Sequence, residues 1–382
     1  MFFAAIPMLF TFAFVIVEWV FAKDTRLDKS SILIVSLFSV FSFFPVCLSY
    51  LSYGEESYFL AFFRYFYMIP FFFLAVFCVR NANIISSVFG VYVFFIFLSA
   101  LSIFYQLIYG PIPWLPEASV RDGLVRYSSL VGSLTGYGVY FVFALPVLVF
   151  LFRNGILKFF IILVVVFAGL VSLQKAAVVN LFLLCMLFVV FEKGRLRFLI
   201  LMSAPLVLCL FFVAYFYDVT YVVSTIDNVL RIGGGSKADV SVVESVADRL
   251  WELPSVLYEF HGAQGLLFGV GMVGGSGTLG FPEYPMSHNG LFDLLFIGGL
   301  GNLLAFLLLY GFCLSRVCMA MQRPSQEGLV ARCCFYMLIL FLVNFLFAGV
   351  LYFHPYGAVI FYSIIALYCF RYGVRGDNFR EA

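Results

Sequence analysis

The 382-residue chain is 64% hydrophobic and 11% charged, with mean hydropathy +1.09 and formal net charge +2. Soluble domains run at roughly 45–50% apolar and about 25% charged residues, so a water-soluble globule, a disordered chain and a nucleic-acid binder are excluded. Nine cysteines are too dilute for a secreted scaffold built on disulfides.

A spanning helix needs roughly 20 mostly apolar residues, and because lipid offers the backbone no partners, each such run must be helical. In chain order the apolar stretches are 2–22, 31–52, 58–79, 84–105, 128–152, 156–173, 176–192, 198–217, 288–314, 333–353 and 358–370. They predict an all-α polytopic integral membrane protein, residues 1–382 forming one membrane domain with eleven transmembrane helices, or twelve if a half-buried segment is added. The first stretch has neither a basic start nor a small-residue cleavage site, and is read as a retained span. The stretches 156–173 and 176–192 meet at a tight turn around Gln174 and Lys175.

Lys and Arg orient the spans. Fifteen of the 22 fall in one set of alternate loops and the C-terminal tail, among them Lys23, Arg26, Lys29, Arg316, Arg323 and Arg332. The other set holds Arg121, Arg126, Lys175, Arg231, Lys237 and Arg249. This split puts the C-terminus in the cytoplasm and, with eleven spans, the N-terminus outside. Cys318, Cys333 and Cys334 are expected in or beside a cytoplasmic loop, and no cysteine falls in the two long outer segments.

Those segments are 106–127 and 218–287. The first carries Pro111, Pro113, Trp114, Pro116, Glu117, Arg121, Asp122 and Arg126. The second, a long periplasmic loop, is the connection large enough to cap a site. Its three basic residues face eight acidic ones, a net charge of −5. Val243, Val246, Leu250, Leu253 and Leu257 at helical spacing predict a helix over 239–261, followed by a glycine-rich stretch over 262–280. A structureless loop of this length would be unusual, and short helices capping a site are the functional reading.

Ionisable residues in spans cost at least roughly 2.5–3.5 kcal/mol to insert, so they mark candidate sites. Arg64, Lys175 and Asp293 all fall in the outer half of the expected bilayer, where they would line one outward-facing cavity; snorkelling is the plain alternative for Arg64. Gly269-Val270-Gly271-Met272-Val273-Gly274 fits G-x-G-x-x-G but lacks the strand–turn–helix setting of a nucleotide site. Clustered metal ligands are absent from the sequence pattern. Glu55-Glu56, an adjacent acidic pair in an early outer loop, resembles the catalytic site of polyprenyl-phosphate-dependent glycosyltransferases, with a solvated turn as the plainer reading.

Within the second segment, Asp248-Arg249-Leu250-Trp251, then Leu267-Phe268-Gly269-Val270-Gly271, then Ser287-His288-Asn289-Gly290, followed by Gly299, resembles the O-antigen polymerase and O-antigen ligase superfamily. The family pattern is an Arg with a Leu four residues on, here Arg249 and Leu253, then Gly-x-Gly, His-Asn entering a span, and a Gly about ten residues later. Upstream, Arg126 with the Gly132–Gly138 stretch, and Ser172-Leu173-Gln174-Lys175, resemble further family pieces. Lys175 stands where the family has Arg, and Asn302 where it has Gly or an aromatic residue. The resemblance covers roughly 120–310. Family members usually have both termini inside, which favours a twelfth span.

The resemblance implies an all-helical membrane glycosyltransferase of the C-type class in the bacterial inner membrane, its active site facing the periplasm. The donor is an undecaprenyl-pyrophosphate-linked oligosaccharide, with no metal, no other cofactor and no nucleotide sugar. Polymerases pass the growing chain to the next lipid-linked repeat, whereas ligases pass it to lipid A–core. A partner regulating chain length is implied as well. On these residues, departing pyrophosphate needs cations, and the guanidinium fork suits phosphate oxygens. Arg249 is the first candidate, with Lys175 and Arg126 next, and Arg64 or Arg231 further possibilities. His288 is the candidate general base for the acceptor hydroxyl, with Asn289 or Asp293 to orient it. Helix capping at 287–289 and ion pairs of Arg249 with Asp248 or Glu252 are the structural alternatives. Trp251, with Trp114, Tyr127 and Tyr284, would stack on sugar rings or form an interfacial belt. His261 and His354 are read as structural. A lipid-linked oligosaccharide flippase is the non-enzyme alternative, one that calls for internal repeats and broken helices.

Overall fold

The computed structural model describes residues 29–53, 83–115, 118–121, 124–132, 136–152, 155–172, 174–194, 253–271, 289–323, 326–351 and 354–371. The expected spans 2–22, 58–79 and 198–217 lie outside these residues, as do Arg64, Arg231, Arg249, Trp251 and His288. The described chain is almost entirely helical. In order it runs through α1 (Lys29–Tyr53), α2 (Asn83–Tyr109), β1 (Ser119–Arg121), β2 (Leu124–Arg126), α3 (Gly136–Tyr140), α4 (Ala144–Leu151), α5 (Gly155–Val171) and α6 (Lys175–Phe191). It continues with α7 (Leu253–Phe268), α8 (Gly290–Met321), α9 (Gln326–Ala348) and α10 (Pro355–Ile365).

Among the described residues, Ser86–Tyr109, Gly290–Met321 and Glu327–Phe347 are long and apolar enough to cross a membrane, and five shorter apolar helices accompany them. The side chains that α5 leaves uncovered agree. Ile156, Phe159, Leu163 and Phe167 form one exposed apolar stripe, with Ile156 at 87% exposure, an arrangement that water penalises and lipid does not. These helices make the chain a membrane-embedded helical protein.

Several boundaries differ from expectation, each for a local reason. The first outer segment is not without strands. Beyond Tyr109 and the turn at Gly110, β1 pairs antiparallel with β2, Ser119 opposite Arg126. The span expected from 128 begins at Gly136. Polar side chains of α2 capture the backbone ahead of it: Gln106 Nε2 donates to Ser128 O at 2.7 Å, and Leu130 N donates to Ser102 Oγ at 3.3 Å. Such bonds compete with helix formation. Between α3 and α4 the chain tightens into a 3₁₀ turn at Phe141–Phe143, where Pro146 withholds the amide that an α-helix would require. The stretch 262–280 is helical as far as Phe268, with non-helical dihedrals at Gly262 (φ 60°). Arg316 lies inside α8 and Arg332 inside α9, so the expected cytoplasmic loop shrinks to the few residues between Met321 and Gln326. Cys318 is accordingly helical, and Cys333 and Cys334 are buried within α9. After α10 the chain ends its described part in a π-helical turn, Ala366–Arg371.

The span expected at 288–314 is redrawn most. α8 holds non-helical dihedrals at Gly299 (φ 73°, ψ −175°), which divide it into a half-helix, Gly290–Gly298, and a long helix from 300 to 321. The long part rises about 33 Å and crosses a bilayer core of about 30 Å unaided. The half-helix does not continue its axis. A Cβ on Gly290 would lie 2.6 Å from the Phe345 ring, and that ring stacks on Phe306 with centroids 4.6 Å apart. In a straight helix positions 290 and 306 would be about 24 Å apart.

The chain divides into two compact units, residues 1–88 with 246–382, and residues 89–245. The first is centred on stacked rings: Phe306 on Phe345, Phe341 on Phe361 at 5.0 Å, and Phe38 edge-on to Phe361. In the second, Tyr137 stacks on Phe141 and donates to Val165 O at 2.9 Å, while Tyr92 donates to Tyr140 O at 2.7 Å. The buried hydroxyls of Tyr137 and Tyr92 thus each find a backbone acceptor.

Candidate functional site

In the first unit the candidate site forms around the break in α8. Asn289 is the N-cap of the half-helix: its Oδ1 accepts from Leu291 N at 3.1 Å and Phe292 N at 3.5 Å, and its carbonyl accepts from Asp293 N. The sequence offered Asn289 either for capping or for orienting a ring, and its oxygen is committed to capping. Asp293 is fully buried in the first turn, where the aligned amides of a helix start favour negative charge.

At the far end of the half-helix, the last carbonyls have no continuing helix to accept from. The segment Gly269-Val270-Gly271 supplies the donors. Val270 N donates to Phe296 O at 2.7 Å and Gly271 N to Ile297 O at 3.0 Å. Approach this close is possible only without side chains. Gly269 (φ 79°) and Gly271 (φ 83°) occupy left-handed conformations. A Cβ on Gly269 would lie 2.6 Å from Gly299 N, one on Gly271 2.7 Å from Ser49 N, and one on Gly299 would overlap the Leu267 carbonyl. The G-x-G that failed as a nucleotide motif is therefore a clasp between α7 and the break. Asn302, the departure from the family pattern, lies just beyond the break and donates from Nδ2 to Leu294 O at 3.4 Å.

In the second unit the two upstream pieces of the resemblance also meet. Gly138 N donates to Gln174 Oε1, and Asn180 Nδ2 donates to Gly138 O at 3.0 Å, so two amides of the α6 region hold both backbone groups of one glycine. The Gln174 Oε1 accepts from Gly138, and the side chain makes no cap bond to α6. The expected turn around Gln174 and Lys175 is present, and Lys175 is the first residue of α6. Arg126 ends β2 and is half-buried, two residues before Ser128. Gly138→Ala is expected to destabilise the protein by about 1–3 kcal/mol, because the added methyl would press on Gln174 and on the Ala177 amide. Gly90→Ala, where nothing lies within 4 Å, is the control. Thermal unfolding in detergent compares them, and equal midpoints would refute the clamp.

Lys175 and Arg126 lie in one unit, Asn289 and Asp293 in the other. Gln174, Asn180, Gln106 and Asn302 carry no catalytic or phosphate-binding signature in the sequence. Their signal was a carboxamide inside a run of apolar residues, as in Ala176–Leu183 around Asn180. Among the described residues, no three His, Cys, Asp or Glu side chains group to hold a metal ion. His354 precedes α10 and stacks on Tyr356 at 5.8 Å. No family model, curated protein or solved structure matches the chain.

Proposed function

We propose that the protein is a polysaccharide polymerase of the O-antigen or capsule type. It transfers a glycan from undecaprenyl pyrophosphate to another lipid-linked repeat at the periplasmic face of the bacterial inner membrane. The observation that carries the reading is the meeting of residues on which the resemblance rests. Gly269, Gly271 and Gly299 are separated in sequence, all have positive φ, and form one clasp at the half-helix that follows His288-Asn289. Gly138 and Gln174 add a second such meeting.

In this reading His288 removes the acceptor proton, worth roughly 10²–10⁴-fold in rate. Arg249 grips the departing pyrophosphate, with Lys175, Arg126, Arg231 and Arg64 as further cations, and Trp251 stacks on sugar. Lys175 offers a point charge instead of a fork, so its share is smaller than that of Arg at the same position. The eleven- or twelve-span topology, the periplasmic cap at 218–287 and a chain-length-regulating partner belong to the same proposal.

Two other readings stay distinct in outcome. A ligase would attach finished chains to lipid A–core. A lipid-linked oligosaccharide transporter has one observation in its favour, the break at Gly299, since discontinuous helices are a transporter feature. Deleting the gene separates them. A polymerase deletion leaves single repeats on lipid A–core. A ligase deletion accumulates lipid-linked polymer, and a transporter deletion traps single lipid-linked repeats on the cytoplasmic side. Either of the last two results would contradict the polymerase reading.

A further inference from the structure

We propose that Asn302 is a positioning residue, latching the half-helix Gly290–Gly298 across the break and so fixing the Asn289-capped start of that half-helix for glycan transfer; the functional part of this inference rests on the transferase reading. Gly299 is the covalent joint between the half-helix and the long part of α8, and its non-helical dihedrals interrupt the regular helix there. Rigid presentation therefore depends on ties across the joint.

Three described ties reach carbonyls near the end of the half-helix. Phe296 O and Ile297 O take backbone amides of Val270 and Gly271, and Leu294 O takes the side-chain amide of Asn302. The backbone ties do not depend on a side chain, whereas the Asn302 tie does. Its geometry is built in. Gly298 leaves room for the amide, since a Cβ there would lie 2.6 Å from Asn302 Nδ2 and 2.6 Å from Pro45 Cγ of α1. Asn302 is fully buried, and its Oδ1 has no hydrogen-bond partner among the described residues. A half-satisfied amide in an apolar interior is costly, and leucine would fill similar space without that cost. What leucine lacks is the donor to Leu294.

Full-length Asn302→Leu, Asn302→Ala and Asn302→Gln, reconstituted with synthetic undecaprenyl-pyrophosphate-linked repeats, test this together with amide exchange over 291–298. Asn302→Leu and Asn302→Ala are expected to lower turnover about 10- to 100-fold, since small misplacements of reacting groups have effects of this order. KM for the lipid-linked donor stays within about twofold, as for an interaction that does not bind ground-state substrate. Asn302→Gln keeps the donor and recovers most of the turnover. Exchange over 291–298 quickens about tenfold in the Leu and Ala variants, as local opening becomes easier, with α9 unchanged. Wild-type turnover and exchange in both variants would overturn the latch, as would failure of Asn302→Gln to restore either. If His288→Ala is inactive while Asn302→Leu is fully active, the latch fails and the transferase reading stands. If the wild-type protein makes no polymer, that reading fails and the exchange data alone decide whether the latch exists.

Discussion

Replacing His288 by alanine is expected to erase long glycan chains while the protein stays at its normal level in the membrane. General-base assistance is worth roughly 10²–10⁴-fold, so a strain carrying His288→Ala as its sole copy should show single repeats where the wild type shows a ladder. Arg249→Ala is expected to match it, because an undissipated negative charge on the departing pyrophosphate raises the barrier directly. Arg249→Lys is the finer probe. Lysine keeps the charge and loses the two-pronged fork, so an intermediate ladder of shortened chains is expected. Wild-type ladders in both alanine variants, at normal protein level, would remove both residues from the mechanism. Asn289, the next residue in sequence, caps the half-helix at Leu291 and Phe292.

Gly299→Ala is expected to be the most damaging change to the fold. A non-glycine residue at φ 73°, ψ −175° costs roughly 1–3 kcal/mol before any clash. Here the added methyl also overlaps the Leu267 carbonyl and approaches the Phe268 backbone, which cannot rotate aside as a side chain would. The clasp would have to open, releasing α7 and the Phe296 and Ile297 carbonyls together. Loss of folded protein, or a large drop in the thermal midpoint in detergent, is the expected result. Gly311→Ala, in the long part of the same helix with nothing within 4 Å, is expected to be neutral or stabilising by up to about 1 kcal/mol, the helix-propensity difference. Equal stability of the two variants would show that the break is not held by this contact.

The extent of each helix was legible where charge or glycine ended an apolar run. The stretches 156–173 and 176–192 became α5 and α6 with ends shifted by two residues or fewer. Interruptions inside apolar runs were not legible. Gly298-Gly299-Leu300-Gly301 reads as small-residue packing within one span, and only the distant segment 267–271 shows that position 299 is a break. The late start at Gly136 depended on Gln106 and Ser102, polar residues of another helix that compete for the backbone at 128–130. The hairpin at 119–126 is too short for its alternation to stand out among charged and small residues. At the candidate site, capping by Asn289 was legible because Asn before an apolar run is a helix-start signal. The glycines at 269 and 271 were also visible as a motif, and the close approach of the Gly299 and Ser49 backbones accounts for them. Gln174 and Asn302 act through contacts 36 and 8 residues away, which no local pattern encodes.

The most direct test is reconstitution. Purified protein in proteoliposomes, given only a synthetic undecaprenyl-pyrophosphate-linked repeat unit, is predicted to release undecaprenyl pyrophosphate and extend the lipid-linked glycan into a ladder. His288→Ala and Arg249→Ala should leave the substrate unextended. Movement of the intact lipid-linked repeat between leaflets with no new glycosidic bond would contradict the transferase account and identify a transporter.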